Sequence, residues 1–311
     1  MHPVDADMRY LLIAILTGAF LTLHAAEAYT VKPIGTTPAP YGFLEHLPAD
    51  FKASPKRLRP LIIFLHGLGE LGASDAKDLP KVAGAGPLHL IASGSPLAKV
   101  FETQSAIILA PQGLKEDGWW KTEKLTAFLD YALATYPIDP DRVYVTGLSM
   151  GGGGTWVLGA NAADKVAAIV PICGAAKPEH VDALHTMPIW AFHASDDPTV
   201  NFTEHTVAWF DALLADRNVK LAGGTLGGRP AGGKGTAATA SLIHDAWTWL
   251  PEKIPPASIP QFQLTLTIYA DGGHGIWTRA YNDPNLWTWL FAQHRPKAAA
   301  AKADAKPAKK K

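Results

Sequence analysis

The chain has 311 residues, of which 48% are hydrophobic, enough for the core of one large α/β domain. Its formal net charge at pH 7 is zero, so the sequence as a whole gives no case for binding nucleic acid. Cys173 is the only cysteine, which excludes an intrachain disulfide, and its apolar neighbours predict a small core residue rather than a nucleophile.

The N-terminus has the pattern of a secretory signal peptide. Residues 11–23 form an apolar run too short to span a membrane comfortably, and a small-x-small cleavage pattern follows. Asp5 and Asp7 depart from the positively charged start of such signals. We predict that residues 1–28 are a cleaved signal and that the mature protein is secreted or periplasmic, with no stable membrane span. An uncleaved membrane anchor is the alternative.

Predicted strands and helices alternate along the body of the chain. Continuous apolar runs such as 61–65 and 106–110 are typical of strands buried on both faces of a parallel sheet. The predicted strands are 41–47 at an edge, 61–65, 106–110, 143–146, 166–172, 189–192 and 264–269, and the predicted helices are 124–136, 155–161, 203–214 and 284–294. This alternation predicts a doubly wound, mostly parallel sheet with helices on both faces.

Two stretches break the alternation. Residues 221–260 are rich in glycine, tryptophan and proline, are long for a connection between core elements, and are predicted to contain a short helix around 242–250. Residues 295–311 form an Ala/Lys/Pro-rich tail with seven basic residues and one aspartate, a charge of +6, which we predict to be disordered. Weak attachment to an anionic polymer is the alternative role for this tail. The domain between signal and tail is predicted to span 29–294.

The most informative stretch is VYVTGLSMGGGGT at 143–155. A β-branched and aromatic run, a glycine-flanked serine and a helix-compatible run follow one another, which is the order that a nucleophile elbow requires. Glycines at 147 and 151 remove the Cβ atoms that would clash in so tight a turn. The pattern predicts Ser149 as a nucleophile, and the alternative is an ordinary serine in a glycine-rich turn.

A serine hydroxyl needs a base to remove its proton, and the base needs an orienting acid. Loops that follow parallel strands converge at one edge of the sheet. His274, between glycines after the last predicted strand, is the candidate base, and Asp197, after the preceding strand, is the candidate acid, with Asp196 as its neighbouring alternative. Two other histidines after strands or at their ends, His66 and His193, are interpreted as structural residues that hold loop backbone.

The negative oxygen of an acyl-transfer intermediate needs backbone N–H donors. The residue after the nucleophile, Met150, is expected to supply one donor, and Leu68, in the loop after the strand 61–65, is expected to supply the other. Several tryptophans could line a substrate pocket, and Trp120 and Trp277 are the best placed because their loops lie beside the predicted site. This chemistry requires no metal and no cofactor.

Five segments carry a family resemblance that covers most of 41–294. They are PLIIFLHGLGELG at 60–72, APQG at 110–113, DPDRVYVTGLSMGGGGTW at 139–156, PIWAFHASDDPTV at 188–200 and GGHGIW at 272–277. They resemble α/β-hydrolases of the carboxylesterase type, above all the secreted feruloyl and acetylxylan esterases of carbohydrate esterase family one and a related peptidase and phospholipase group. The glycine run after the serine also resembles bacterial cutinases and polyester hydrolases.

The resemblance implies a catalytic triad of Ser149, Asp197 and His274, because the family acid stands four residues after a strand histidine. It also implies Met150 and Leu68 as the oxyanion-hole donors. The insertion 221–260 departs from the family pattern and lies between the acid and the base, so we expect it to form a lid or one wall of the substrate cleft.

We therefore expect a secreted serine carboxylesterase that works through an acyl-enzyme, on feruloyl or acetyl esters of plant polysaccharide as the resemblance implies. The expected partner is an ester substrate, polymeric if it is a polysaccharide or a polyester, and no nucleic acid. Within enzymes, a cutinase-like polyesterase or lipase and a serine peptidase remain open. Outside enzymes, the alternative is a catalytically dead binding module that keeps the fold.

Overall fold

The computed structural model describes residues 28–219, 236–243, 246–250 and 255–295. The predicted signal up to residue 27, the stretch 220–235 and the tail beyond Arg295 lie outside the described residues. Among the helices that are described, none has the length and hydropathy needed to cross a membrane.

A ten-stranded mixed sheet runs through the described residues. Its strands are β1 (Thr30–Lys32), β2 (Phe43–His46), β3 (Arg59–Leu65), β4 (Ile107–Pro111), β5 (Ile138–Leu148), β6 (Ala168–Ile172), β7 (Ile189–Ala194), β8 (Ala237–Ile243), β9 (Ala246–Trp249) and β10 (Leu264–Tyr269). Their order across the sheet is β1-β2-β4-β3-β5-β6-β7-β10-β8-β9. The strands from β4 to β10 in this order pair in parallel. Antiparallel strands complete both ends.

Helices cover both faces of this sheet. In the described residues the α-helices are α1 (Gly86–Ala92), α2 (Lys99–Thr103), α3 (Thr122–Thr135), α4 (Met150–Asn161), α5 (Ala208–Asp216), α6 (Trp277–Tyr281) and α7 (Pro284–Ala292). Side chains alternate along β3, so that Leu61, Ile63 and Leu65 join a core with α3, α4 and α5, whereas Ile62 and Phe64 join a core with α1, α6 and α7. The prediction of a doubly wound, mostly parallel sheet is confirmed.

The prediction of a helix around 242–250 is wrong. This stretch holds the end of β8 and all of β9, which pair as an antiparallel hairpin. β8 also pairs with β10, where hydroxyl groups meet at 2.9 Å in the pairs Thr239–Thr267 and Ser241–Thr265. We attribute the strand conformation of 237–243 to its pairing with β10, because the backbone N–H and C=O groups on that side of β10 need hydrogen-bond partners.

The edge of the sheet near the N-terminus also differs from prediction. The predicted edge strand 41–47 is β2, the second strand, because β1 pairs outside it. Ala28, the last residue of the predicted signal, is buried, and its carbonyl oxygen lies 2.9 Å from His46 Nδ1. Arg295, the first residue of the predicted disordered tail, donates its backbone N–H to the carbonyl of Asp141 over 2.9 Å. One residue of the predicted tail therefore bonds to the body, while the residues after Arg295 lie outside the described part of the chain.

Candidate active site

The register of the parallel strands brings three loops to one edge of the sheet. β5, β6, β7 and β10 are neighbours, and their ends lie side by side: Leu148 pairs with Ile172, Ile172 with Phe192, and Tyr269 with Ala194. Loops that leave such aligned strand ends emerge at the same height. The three residues predicted as nucleophile, acid and base all lie in these loops.

Ser149 forms the sharp turn between β5 and α4, with φ 54° and ψ −120°. A non-glycine residue in such a conformation carries about 1–3 kcal/mol of strain. The turn fits because a Cβ at Gly147 would lie 2.4 Å from the carbonyl oxygen of Gly151, and one at Gly151 would lie 2.0 Å from that of Leu65. The backbone N–H of Ser149 also donates to the carbonyl of Ile172 over 2.9 Å, which ties the turn to β6.

A continuous hydrogen-bonded path joins Ser149, His274 and Asp197. His274 Nε2 lies 2.7 Å from Ser149 Oγ, and His274 Nδ1 lies 2.7 Å from Asp197 Oδ2. An ionised carboxylate can only accept a hydrogen bond, so Nδ1 carries the proton and Nε2 is free to accept the serine proton. This arrangement can remove a proton from the hydroxyl and stabilise the imidazolium that results.

Asp197 is buried, yet its carboxylate is surrounded by donors. Oδ1 accepts the backbone N–H groups of Thr199 over 2.8 Å and Val200 over 2.9 Å. Oδ2 accepts from His274 and lies 3.2 Å from His193 Nε2. Burial acts to raise the pKa of Asp197, but the hydrogen bonds from both histidines and both backbone groups outweigh it and hold the pKa well below its usual value. The carboxylate is therefore ionised throughout the neutral range.

The neighbouring carboxylate, Asp196, has a different partner. Its Oδ1 accepts the backbone N–H of Gly273 over 2.9 Å, so it holds the loop that carries His274. That loop depends on backbone freedom, since Gly272 has φ 115° and Gly273 has φ 56°. Trp277 packs edge-on against the imidazole of His274, with ring centroids 5.5 Å apart. Of the two aspartates that the sequence left open before the family comparison, only Asp197 contacts the imidazole.

The two residues predicted as oxyanion-hole donors both begin a helical turn. Met150 is the first residue of α4, and Leu68 is the first residue of the short 3-10 turn Leu68–Glu70. Backbone N–H groups at the start of a helix lack an acceptor within that helix. The turn lies close to Ser149, because a Cβ at Gly67 would lie 3.6 Å from Ser149 Cβ. The assignment of Met150 and Leu68 as oxyanion-hole donors stays a prediction.

His66 connects the loop after β3 to the loop after β4. Its Nδ1 lies 2.6 Å from the carbonyl oxygen of Gly67, and its Nε2 accepts the backbone N–H of Gly113 over 2.8 Å. Since the carbonyl only accepts, Nδ1 carries the proton and the ring is neutral. Burial lowers the pKa of His66 to about 4, which keeps it neutral at physiological pH. The interpretation of His66 as a structural residue that holds loop backbone is confirmed.

A pocket of about 100 Å³ lies among the loops that surround the candidate site. It is lined by Phe64, His66, Glu70, Val82, Gly84, Ala85, Leu148 and Trp277. Two of these residues are neighbours of the candidate catalytic groups, since Leu148 precedes Ser149 in the chain and Trp277 packs on His274. Burial raises the pKa of Glu70, the one acidic group in this lining. Trp277, predicted to contact substrate, lines this pocket and contacts His274, and its role in substrate binding stays a prediction.

Trp120, the other tryptophan predicted to contact substrate, lies in the core. Only 5% of its surface is exposed, and its indole N–H donates to the carbonyl of His66 over 3.3 Å. The ring packs edge-on against Tyr41, and a Cβ at Gly154 would lie 2.9 Å from it. The indole thus supports the loop that carries His66, and it is Trp119 that is 40% exposed.

The interior behind the site holds a cluster that sequence reasoning did not bring together. Donor atoms of Cys173, His193 and Asp197 lie within 4.8 Å of one another, and in the described part of the chain they form the one group suited by type to bind a metal. All three side chains are buried, and Asp197 already bonds to His274. Cys173 is a core residue, as predicted. The four-residue spacing of His193 and Asp197 was the available signal that the two side chains meet.

Comparison with known proteins gives several matches. The dienelactone hydrolase family matches residues 111–222. Poly(3-hydroxyalkanoate) depolymerase C of Paucimonas lemoignei is 29% identical over 163 residues, which is 50% of this chain and 37% of that protein. Bifunctional acetylxylan esterase/xylanase XynS20E of Neocallimastix patriciarum is 31% identical over 93 residues, 30% of this chain and 13% of that protein. The crystal structure of a thermostable esterase superposes with a TM-score of 0.57 at 25% identity, covering 86% of this chain and 63% of that one.

The chain has the α/β-hydrolase fold. The match to the dienelactone hydrolase family includes Ser149 and Asp197, and the structural match extends over most of the chain. The sequence matches span 37% and 13% of the two named relatives, and the activities in those names belong to those proteins. What this α/β-hydrolase does must be argued from its own site.

Proposed function

We propose that this α/β-hydrolase is a serine carboxylesterase that acts through an acyl-enzyme. The observation that carries the proposal is the path from Ser149 Oγ through His274 to Asp197, with 2.7 Å at both links. A binding module that had lost catalysis would have no need to keep a strained serine backbone with an aligned base and acid. The names of the relatives, which are an esterase and a depolymerase of a polyester, support ester bonds over peptide bonds.

The proposed reaction begins when Ser149 Oγ attacks the ester carbonyl carbon and His274 Nε2 takes the serine proton. Asp197 holds the imidazole and stabilises its positive charge. The tetrahedral oxyanion accepts hydrogen bonds from the backbone N–H groups of Met150 and Leu68. When the intermediate collapses, the C–O bond to the alcohol breaks, and the alkoxide takes the proton from His274.

The second half of the reaction regenerates the serine. A water molecule, deprotonated by His274 Nε2, attacks the carbonyl carbon of the acyl-enzyme. The bond to Ser149 Oγ breaks, and the proton on His274 returns to that oxygen. The products are a carboxylic acid and free enzyme, and the residues of this chain account for each proton transfer.

The pocket beside the serine favours a short acyl group. Its volume is about 100 Å³, smaller than the ~150 Å³ apolar cavity that holds one benzene molecule. An acetyl or butyryl group would fit within this volume, whereas a substituted phenyl ring such as that of a feruloyl group would extend beyond it. Between the feruloyl and acetyl esters expected from the sequence, we therefore propose acetyl and other short-chain acyl esters.

A second candidate is hydrolysis of an aliphatic polyester with a short repeating unit. The match to a poly(3-hydroxyalkanoate) depolymerase over 50% of the chain favours it. The same pocket supports it, because a hydroxybutyryl unit is close in size to a butyryl group. The two candidates share the chemistry and differ in the alcohol that leaves.

Replacing Ser149 with Ala tests the proposal directly. We expect kcat for p-nitrophenyl acetate and butyrate to fall at least about 10⁴-fold, because the nucleophile is lost while the base and oxyanion donors remain. Ser93→Ala, at an exposed position on the end of α1, is the matched control and should leave kcat unchanged. Undiminished turnover in the Ser149 variant would exclude the serine mechanism.

A substrate panel then separates the candidates. Wild type is assayed on p-nitrophenyl acetate, p-nitrophenyl butyrate, methyl ferulate, acetylated xylan and amorphous polyhydroxybutyrate. We expect kcat/KM to be highest for the short acyl esters and lowest for methyl ferulate, because of the size of the pocket. Release of acetate from xylan favours the polysaccharide esterase, and soluble hydroxy acids released from the film favour the polyesterase.

A further inference from the structure

His193 lies at the end of β7, behind the site, and is completely buried. The proposed mechanism gives it no role, and the sequence suggested only that it holds loop backbone. Its Nε2 lies 2.9 Å from the carbonyl oxygen of Val200, which confirms that contact. The same nitrogen also lies 3.2 Å from Asp197 Oδ2, the oxygen that bonds to His274.

The hydrogen-bond partners fix the proton on this imidazole. A backbone carbonyl and an ionised carboxylate are acceptors only, so His193 Nε2 must carry a proton that the two oxygens share. On the other side of the ring, Nδ1 lies 2.7 Å from Thr206 Oγ1, and Thr206 is itself buried. Phe202 packs against the ring with centroids 5.4 Å apart. The imidazole is therefore held on both edges and has one orientation.

This orientation determines how Asp197 presents its carboxylate. Thr199 and Val200 hold Oδ1 through backbone N–H groups of the same loop. Without His193, Oδ2 would have only the catalytic base as a partner among these donors, and the base stands on a glycine-rich loop. With His193, Oδ2 is fixed from the core side, so the lone pair that receives His274 Nδ1–H has a fixed direction.

We propose that His193 is a positioning residue of the active site: it holds Asp197 Oδ2 from behind and shares the negative charge that His274 faces. This inference rests on the proposed serine esterase function. In the part of the chain that the structure describes, the thiol of Cys173, just after β6, is a further titratable group beside this contact. It contacts the backbone of the His274 loop, with Sγ 3.7 Å from the carbonyl oxygen of His274.

The test compares His193→Phe, which keeps a ring but loses the donor, with His193→Gln, which keeps a donor near the position of Nε2. Active enzyme is counted by titration with a fluorophosphonate. We expect His193→Phe to lower kcat on p-nitrophenyl butyrate about tenfold with KM changed less than about twofold, because alignment and not substrate binding is lost. His193→Gln should restore most of kcat.

The pH profile supplies the readout that a merely structural role would not move. When Asp197 loses a donor, its charge acts more strongly on His274 and favours the imidazolium. The acidic limb of kcat/KM should therefore shift upward by about 0.5 pH unit in His193→Phe, and by less in His193→Gln. Trp190→Phe is the control, because Trp190 lies on the same strand as His193 and the change removes a buried hydrogen bond from its Nε1 to Thr267 on β10. This variant should leave the limb in place.

The outcomes decide separately on the function and on His193. If Ser149→Ala abolishes turnover while His193→Phe keeps kcat within about twofold and the limb unmoved, the role of His193 is excluded and the esterase stands. If Ser149→Ala leaves turnover intact, both fall. If His193→Phe does not fold, Thr206→Val decides, since release of Nδ1 should shift the limb in the same direction, and an unmoved limb would overturn the inference.

Discussion

The sharp turn at Ser149 depends on two glycines, because neither carries a Cβ atom. Gly147 and Gly151 stand where any Cβ would meet a backbone oxygen at 2.6 Å or less, and backbone cannot yield as a flexible side chain can. Because of that space, the first turn of α4 can lie directly against β3, next to Ser149 with its positive φ of 54°. Steric exclusion of a Cβ atom therefore explains why glycine stands at both positions of the motif.

A methyl group at position 151 should therefore be costly. We expect Gly151→Ala to lower the free energy of unfolding by about 3 kcal/mol or more, since its Cβ would lie 2.0 Å from the Leu65 carbonyl oxygen. Gly84→Ala is the matched control, because a Cβ there has no neighbour within 4 Å. Urea unfolding of both variants measures the difference, and equal stability would contradict the steric explanation.

At the scale of elements, the site is assembled from loops that separate strands carry, and cross-links between the loops hold it. His66 joins the loop after β3 to the loop after β4, and Asp196 joins the loop after β7 to the loop after β10. Leu68, the proposed oxyanion donor, lies on the first of these loops, and His274, the proposed base, lies on the last. Each of these hydrogen bonds uses a side chain, His66 or Asp196, that has no direct role in the proposed reaction.

The buried neutral His66 makes stability depend on pH. Its pKa is about 4 in the folded protein, against about 6.5 in the unfolded chain, so between these values the unfolded state binds the proton and the folded state does not. The free energy of unfolding should therefore fall as the pH falls from about 6.5 towards 4, by about 3 kcal/mol from this group.

Urea unfolding at pH 7.5 and pH 4.5 checks this expectation. His66→Gln, which keeps a donor and an acceptor without a titratable ring, should be less stable at pH 7.5 but should lose about 2–3 kcal/mol less than wild type on acidification. The exposed His89→Gln on α1 serves as the control and should retain the wild-type dependence. A wild-type slope in His66→Gln would assign the acid sensitivity to other groups.

For the whole molecule, the charge distribution separates the ends from the body. The segment 295–311 has a charge of +6 in a chain whose net charge is zero. This segment follows α7, the last helix of the body, and contains none of the residues proposed for the site. Long-range attraction between such a basic segment and an anionic surface is screened within about 8 Å at physiological ionic strength.

Deletion of residues 296–311 should leave the hydrolysis of small neutral esters unchanged. The same deletion should weaken adsorption to an anionic polymer at low salt and have little effect at high salt, because the attraction is electrostatic. Parallel assays of kcat/KM on p-nitrophenyl butyrate and of binding to carboxymethyl cellulose test both halves. A loss of small-ester hydrolysis would show that the tail contributes to the site.

What the sequence could predict depended on local signals. Apolar runs located the central strands, and the spacing of Ser149, Asp197 and His274 after strand ends located the residues that meet. The sequence did not predict the β8–β9 hairpin, because β8 is held by pairing with β10, which lies about twenty residues later in the chain. No local pattern within 237–249 indicates that pairing. The burial of Trp120 could not be predicted for a related reason: its indole fills space left by Gly154, which lies on α4, some thirty residues away in the chain.

The thiol behind the site provides a native reporter of local opening. Cys173 is the only cysteine in the chain and is fully buried beside the carboxylate and the base loop. A disulfide reagent can modify it only when that region opens, so the labelling rate of the untouched protein measures how often the region opens. Labelling that is much faster than global unfolding would show that the loops around Cys173 open locally while the sheet stays folded.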